Sequence, residues 1–277
     1  MKPEMVITDL DGTFLNSSGE ISPENRKTMF QLGELGIVRV IATGRSLYSL
    51  RRAVPSNLPI DYIVFSSGAG IYDWQNKTIL ESNHLNSDSV EKSVKAFHRR
   101  KIDFFVHCPI PENHKFDYYT YDSNHSTDVW ERIELYKQFA NPIDDLQKYE
   151  YEQSCQVIGI TQNNLKHLNA VKNDLEELKV IRATSPINNQ SLWIEVFPGH
   201  ISKAAACQNL CSRLQISSKN TLGIGNDYND LDLLEWVNEA YVVKNAPPRL
   251  KQNFMTIHNN DRNGFSKLIS EKIKVSL

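Results

Sequence analysis

The run Asp9-Leu10-Asp11-Gly12-Thr13 sets two carboxylates two residues apart, followed by a glycine that lets the chain turn sharply. Such a pair can converge on one hard cation. The run follows Met5-Val6-Ile7-Thr8, which reads as a buried strand. Ligands of open α/β sheets bind outside the carboxyl ends of the strands, which is where these acids fall. Taken alone, the run also reads as an acidic strand-to-loop turn, because Asp-Gly is a common turn pair.

Three further stretches carry chemistry in the same way. Ala42-Thr43-Gly44-Arg45 directly follows another strand-like run, and its hydroxyl and backbone N–H groups suit phosphate oxygens. By itself it is an ordinary strand–loop–helix junction. Lys203 follows Ser202, the expected N-cap of a helix, where a cation opposes the macrodipole. A bound anion facing Lys203 would account for it; a solvated surface lysine is the bland alternative. Gly225-Asn226-Asp227-Tyr228-Asn229-Asp230 offers oxygen ligands for Mg²⁺ and amide donors for phosphate, or simply caps the next helix. The order of the four carries more than any one of them: nucleophile candidate, hydroxyl, lysine and acidic cluster each fall near a strand's carboxyl end or a helix start.

The elements that must position these groups alternate. A helix opens at Ser22-Pro23-Glu24, with Ser22 as N-cap and Pro23 in the first turn, and Gly36 ends it. Residues 37–42 and 62–65 read as the second and third strands. Strands alternating with helices indicate a parallel sheet covered on both faces. Near His84 the texture becomes more polar and aromatic, with a helix over 89–100, strands over 104–107, 116–121 and 156–160, a helix over 165–178 and a strand at 180–181. That mixture predicts an inserted α+β domain. The α/β texture resumes around 192–197, with a helix over 202–214, a strand over 221–225, a helix through 231–234, a strand over 240–243 and a closing helix after Gly264.

Composition narrows the function classes. The chain has 277 residues, 40% of them apolar, and a formal net charge of -2. Nothing in that balance argues for a nucleic-acid or membrane partner, and phosphate affinity must come from a local site. No apolar run approaches the roughly 18 residues of a membrane span. The start of the chain meets a strand-like run at once, so no signal peptide and a cytoplasmic location are expected. Cys108, Cys155, Cys207 and Cys211 form no CxxC pair, and Cys207 and Cys211 are read as a helix's core face.

With the four motifs in hand, the chain resembles the haloacid-dehalogenase superfamily, specifically the Cof-like phosphatases with a large α+β cap (type IIB). The resemblance covers essentially the whole chain, strongly in the core motifs and weakly in the cap. It implies a Rossmann-like parallel-sheet core over 1–84 and 191–277, interrupted by a cap over 85–190. It also implies Mg²⁺-dependent hydrolysis of small phosphomonoesters, sugar phosphates by the family's usual range, through an aspartyl-phosphate. In this likeness Asp9 resembles the nucleophile, and Asp11 the general acid and base whose backbone carbonyl also binds the metal. Thr43 and Gly44 resemble the phosphate-binding motif, Lys203 the lysine that steadies the transferring group, and Asn229-Asp230 the end of GDxxND. The implied metal set is Asp9, Asp11, Asn226 and Asp230, with Asn229 on phosphate and Asn245-Ala246 at a turn near the site. Two positions depart from the pattern. Asn226 stands where a ligating Asp is usual, with Asp227 next door as a substitute, and Ala204 stands where Gly is common.

Two rival readings stay open at this level. One is a phosphotransferase or phosphomutase that passes the phosphoryl group to a second alcohol. The other is a non-hydrolytic phospho-acceptor module, against which the insert and the second carboxylate argue. In the expected cap, the segment from His107 to His114 either faces the substrate or forms a Pro-stiffened loop with solvated histidines. A monomer or small homo-oligomer is expected.

Overall fold

The computed structural model describes residues 2–121, 127–162, 164–185 and 191–273. The chain divides into two compact units, Met1–Ser82 with Ser202–Leu277, and Asn83–Ile201. In the first unit β1 (Met5–Thr8) leads to α1 (Pro23–Glu34), β2 (Val38–Ala42), α2 (Leu47–Ala53), β3 (Tyr62–Phe65), β4 (Gly70–Asp73) and β5 (Thr78–Ser82). The second unit runs α3 (Ser87–His98), β6 (Asp103–His107), β7 (Phe116–Tyr119), α4 (Thr127–Leu135), β8 (Ala140–Pro142), β9 (Val157–Thr161), α5 (Leu165–Asp174), β10 (Leu178–Thr184) and β11 (Leu192–Pro198). The chain then returns to the first unit through α6 (Lys203–Leu214), β12 (Thr221–Gly225), α7 (Leu231–Trp236), β13 (Glu239–Val243), α8 (Pro248–Asn253), β14 (Met255–Ile257) and α9 (Gly264–Ile273).

The first unit's sheet has the order β14-β13-β12-β1-β2-β3-β4-β5. From β14 to β3 every pairing is parallel, as the α/β reading of the sequence expects. β4 and β5 then add an antiparallel hairpin at one edge, which that reading did not include. The strand order steps outward in opposite directions from the β1–β12 pair, a switch point that opens a crevice at the strands' carboxyl ends. One face is sealed by Ala206, Cys207, Leu210 and Cys211 of α6 and Leu233 of α7 against Met5, Ile7, Val40 and Val64. Cys207 and Cys211 are therefore core residues, and burial pushes both thiols up.

Toward the amino end, a polar bolt fixes the turn after β1. The buried Asn25 of α1 donates from Nδ2 to the Phe14 carbonyl at 2.8 Å and accepts from the Ser266 hydroxyl of α9 at 2.6 Å. Phe14 and Phe265 pack edge to face beside it. Ser22 caps α1 by accepting from the Asn25 N–H, as its place before Pro23 predicts.

The second unit is built on a sheet of order β10-β11-β9-β6-β7-β8, antiparallel except between β7 and β8. Phe97 of α3 and Leu168 and Val171 of α5 pack with Phe104, Val157 and Ile194. Val129 and Ile133 of α4 pack with Phe105, Ile158 and Trp193 in a separate cluster. Here the sequence reading needs correcting. Leu192–Pro198, assigned to the core from residue 191, is a strand of the second unit, and the second boundary falls between Ile201 and Ser202. All its residues are buried, so it lacks the alternation that marks a half-exposed antiparallel strand and reads like a parallel core strand. The helix expected over 165–178 stops at Asp174, and residue 190 lies outside the described residues.

Among the described residues no helix is long and apolar enough to cross a membrane. Asn25→Ala strands the Ser266 hydroxyl and the Phe14 carbonyl, and should lower the unfolding free energy by about 2–4 kcal/mol in urea titrations. A loss under about 0.5 kcal/mol would show that the bolt is dispensable.

Candidate active site

The candidate groups emerge where strands of the first unit end, except Lys203, which opens α6. β1 delivers Asp9, whose N–H donates to the Ile224 carbonyl of β12 at 2.8 Å. The chain then makes a wide turn over Leu10–Phe14, closed by the Leu15 N–H on the Leu10 carbonyl at 2.9 Å. Gly12 sits in it at φ +70°, and a Cβ there would stand 2.5 Å from Asn226 Nδ2. The positive φ favours glycine, and the Asn226 side chain occupies the space a Cβ would take. Asn245 Nδ2 donates to the Gly12 carbonyl at 2.7 Å, holding the turn from the other side.

The centre is a buried triad. Lys203 Nζ donates to Asp9 Oδ1 at 2.7 Å and to Asp230 Oδ1 at 2.6 Å, with both carboxylates and the ammonium buried. Ser202 caps α6 by accepting from the Ala205 N–H, so the helix begins with Lys203 already facing inward. A first-turn cation is tolerated because two carboxylates outweigh the helix dipole. Burial alone would lower the Lys203 pKa; the charges of Asp230 and Asp9 reverse that and raise it. The Asp9 carboxyl is pushed up to about 7, first by burial and then by the Asp230 charge, against the pull of Lys203 and with a smaller push from Asp11. Two buried carboxylates share one cation, and Asp9 Oδ2 is buried with no hydrogen-bond partner. A second positive charge suits that oxygen.

Asp230 is placed otherwise than the expected metal set requires. Its Oδ2 accepts from the Asn226 N–H at 2.8 Å and the Asp227 N–H at 3.1 Å, while its Oδ1 holds Lys203. Both oxygens are committed, so this carboxylate shapes the loop after β12 and does not present a free ligand. Among the described residues no group of three or more His, Cys, Asp and Glu side chains gathers as a metal centre. The donor that remains is the one buried, unpartnered carboxylate oxygen on Asp9. That fits Mg²⁺, which keeps several waters and uses only one or two protein carboxylates.

Around the triad lie the phosphate-binding candidates. Thr43 is buried at the end of β2, and its hydroxyl oxygen accepts from the Arg45 N–H at 3.1 Å. A Cβ added to Gly44 would lie 3.5 Å from Ser67 Oγ and 3.7 Å from Asn229 Nδ2, so these three line one hollow. Ser66 and Ser67 hold φ of +48° and +54°, which serine seldom adopts. Gly68 follows at +106°, and a Cβ there would collide with the Ser202 carbonyl. The structure thus brings Asp9, Asp230 and Lys203 together, sets Asn226 against Gly12, and gathers Gly44 and Asn229.

Two features escape the sequence reading. Arg45 clamps Asp11 with two parallel bonds of 2.7 Å, from Nε to Oδ2 and from Nη2 to Oδ1. Ser66 and Ser67 join the site from the end of β3, a strand whose following loop carried no assigned role. In the second unit, His107 is buried: its ring bonds the Asn113 carbonyl through Nδ1 at 2.8 Å, and Nε2 stands 3.3 Å from Arg132 Nη2. Burial, then the Arg132 charge, pushes its pKa down to about 3. It is a neutral structural histidine, not a solvated loop residue.

A family model described as haloacid dehalogenase-like hydrolase matches residues 6–269, and the chain belongs to that family. Two 5-amino-6-(5-phospho-D-ribitylamino)uracil phosphatases of Bacillus subtilis are among its relatives. YwtE is 25% identical, covering 96% of this chain and 96% of the relative. YcsE is 23% identical, covering 90% and 87%. The solved structure of the subclass IIB sugar phosphatase BT4131 matches with a TM-score of 0.79 at 14% identity, covering 98% of this chain and 100% of that one. The protein is thus a Cof-like phosphatase of that family.

Replacing Lys203 by Met leaves Asp9 and Asp230 buried without their cation. Unfolding free energy should fall by about 3–5 kcal/mol, and adding Asp230→Asn should restore part of it. A Lys203→Met protein within about 1 kcal/mol of wild type would mean that the triad does not hold the site together.

Proposed function

We propose that this phosphatase hydrolyses phosphomonoesters of small metabolites, sugar and sugar-alcohol phosphates foremost, by passing the phosphoryl group through Asp9 with Mg²⁺ bound. The observation that carries the reading is the Asp9 carboxylate, buried with one oxygen on Lys203 and the other without a partner. Support for the substrate class comes from the relatives, two of which are named for a phosphorylated ribityl compound and one as a sugar phosphatase.

Mg²⁺ would be held by Asp9 Oδ2, the Asp11 backbone carbonyl and the Asn226 carboxamide. When bound it offsets the repulsion between the Asp9 carboxylate and the substrate's phosphate. Asn226 brings no charge where the family commonly has Asp, so the metal should be held less tightly.

Asp9 attacks phosphorus, the bond from phosphorus to the ester oxygen breaks, and protonated Asp11 gives its proton to the departing alkoxide. Water then attacks the aspartyl-phosphate and yields its proton to the Asp11 carboxylate. The bond to Asp9 breaks and orthophosphate leaves. Lys203, the Thr43 hydroxyl and Asn229 Nδ2 act on the phosphoryl oxygens, where most of the catalysis of phosphoryl transfer resides. Arg45 engages both Asp11 carboxylate oxygens. Donating a proton requires that clamp to open.

Asp9→Asn should cut p-nitrophenyl phosphate turnover by about a thousandfold or more with the fold intact, and EDTA should silence the wild type. Asp11→Asn should cost about tenfold more with an alkyl ester such as ribose 5-phosphate than with p-nitrophenyl phosphate, whose leaving group needs no proton. Activity of Asp9→Asn within about tenfold of wild type would remove the nucleophile assignment.

A further inference from the structure

At the opposite end of the first sheet from Asp9 lies a cleft of about 330 Å³ lined by Arg51, Val54, Ser56, Tyr72, Trp74 and Lys77. Its position follows from topology. Asp73, the last residue of β4, pairs with Tyr62, the first of β3, so the β4–β5 turn projects at the amino-terminal end of the parallel strands. The cleft is therefore not part of the phosphoryl-transfer centre.

Two cations are fixed on its walls. Arg51 Cζ lies 5.1 Å from the Tyr72 ring centre, with Nη2 donating to the Tyr72 hydroxyl at 2.8 Å. Lys77 Nζ lies 4.1 Å from the Trp74 ring centre. The rings themselves are immobilised: both are almost wholly buried, and the Trp74 indole N–H donates to the Leu58 carbonyl at 3.0 Å. The turn before Lys77 is closed by Asp73, whose carboxylate accepts from the Asn76 backbone and side-chain amides at 2.8 and 2.9 Å. Lys77 itself holds φ of +57°, a backbone that a residue with a Cβ disfavours.

No lining residue is acidic, and among the described residues neither Arg51 nor Lys77 has an ion-pair partner. Two positive charges on low-dielectric aromatic walls concentrate an attractive field for anions. The remaining N–H groups of Arg51 and the Lys77 ammonium can give charge-assisted hydrogen bonds to a carboxylate, sulfonate or phosphate. The volume lies at the small end of ligand pockets and is more than a bare inorganic ion fills, while the Tyr72 and Trp74 rings lie almost wholly buried behind the two cations. We propose that this cleft binds a compact organic anion, at a site separate from the one that hydrolyses the phosphomonoester.

Calorimetric titration with 1-naphthalenesulfonate, which the phosphatase cannot hydrolyse, tests the assignment. The wild type should bind one equivalent, and the neutral analogue 1-naphthalenemethanol should bind at least about tenfold more weakly. The double variant Arg51→Ala, Lys77→Ala should lose at least about tenfold in affinity for the sulfonate, while its p-nitrophenyl phosphate turnover stays within about twofold of wild type. Failure of the wild type to bind overturns the proposal. So does binding that survives the double substitution, or that is equal for the neutral analogue.

Discussion

A single ammonium group, Lys203 Nζ, joins the ends of segments that lie far apart in the chain. Its bond to Asp9 spans 194 residues and its bond to Asp230 spans 27. Asp230 in turn grips the backbone of Asn226 and Asp227, so the loop after β12 takes its shape from the same ion cluster. The arrangement tolerates no partial version. A buried ammonium without its carboxylates, or the carboxylates without it, would carry a desolvation penalty of several kcal/mol. The end of β1, the start of α6 and the loop after β12 are consequently positioned together.

The cluster does more than hold the fold, because its charges do not balance. Asp9 and Asp230 present two negative charges to one lysine, with Asp11 close enough to raise the Asp9 pKa further. The surplus leaves Asp9 Oδ2 buried and unpartnered, which is an unfavourable state for a carboxylate unless a cation or a transferring phosphoryl group completes it. Around this centre the backbone is kept close by small residues. Gly12 admits the Asn226 side chain, and Gly68 admits the carbonyl of Ser202, so α6 can bring Lys203 inward.

The parts of this site that were legible in the sequence share one property: the residue type announces the chemistry, and the neighbouring pattern announces the position. Asp9 after a β-branched run, Lys203 after a capping serine and Asn229-Asp230 after Gly225 all meet both conditions. Arg45 meets only the first. Nothing in its surroundings shows that the guanidinium turns back on Asp11, 34 residues away, because that pairing is set by the order of β1 and β2 in the sheet. Ser66 and Ser67 were hidden for the converse reason, since their positive φ is imposed by tertiary packing and serine carries no signal for it. The same blindness to context moved β11. A strand buried on both faces gives the same apolar run in an antiparallel sheet as in a parallel one, and only its partners β9 and β10 reveal where it belongs.

The account stands on Asp9 taking the phosphoryl group. Rapid acid quench of the enzyme with ³²P-labelled ribose 5-phosphate and Mg²⁺, followed by proteolysis, reads that step directly. Label should appear on the peptide containing Asp9, survive acid, and be released by hydroxylamine, as an acyl phosphate requires. Release of labelled orthophosphate with no protein-bound label at any time in the first turnover, or label on a peptide lacking Asp9, would contradict it.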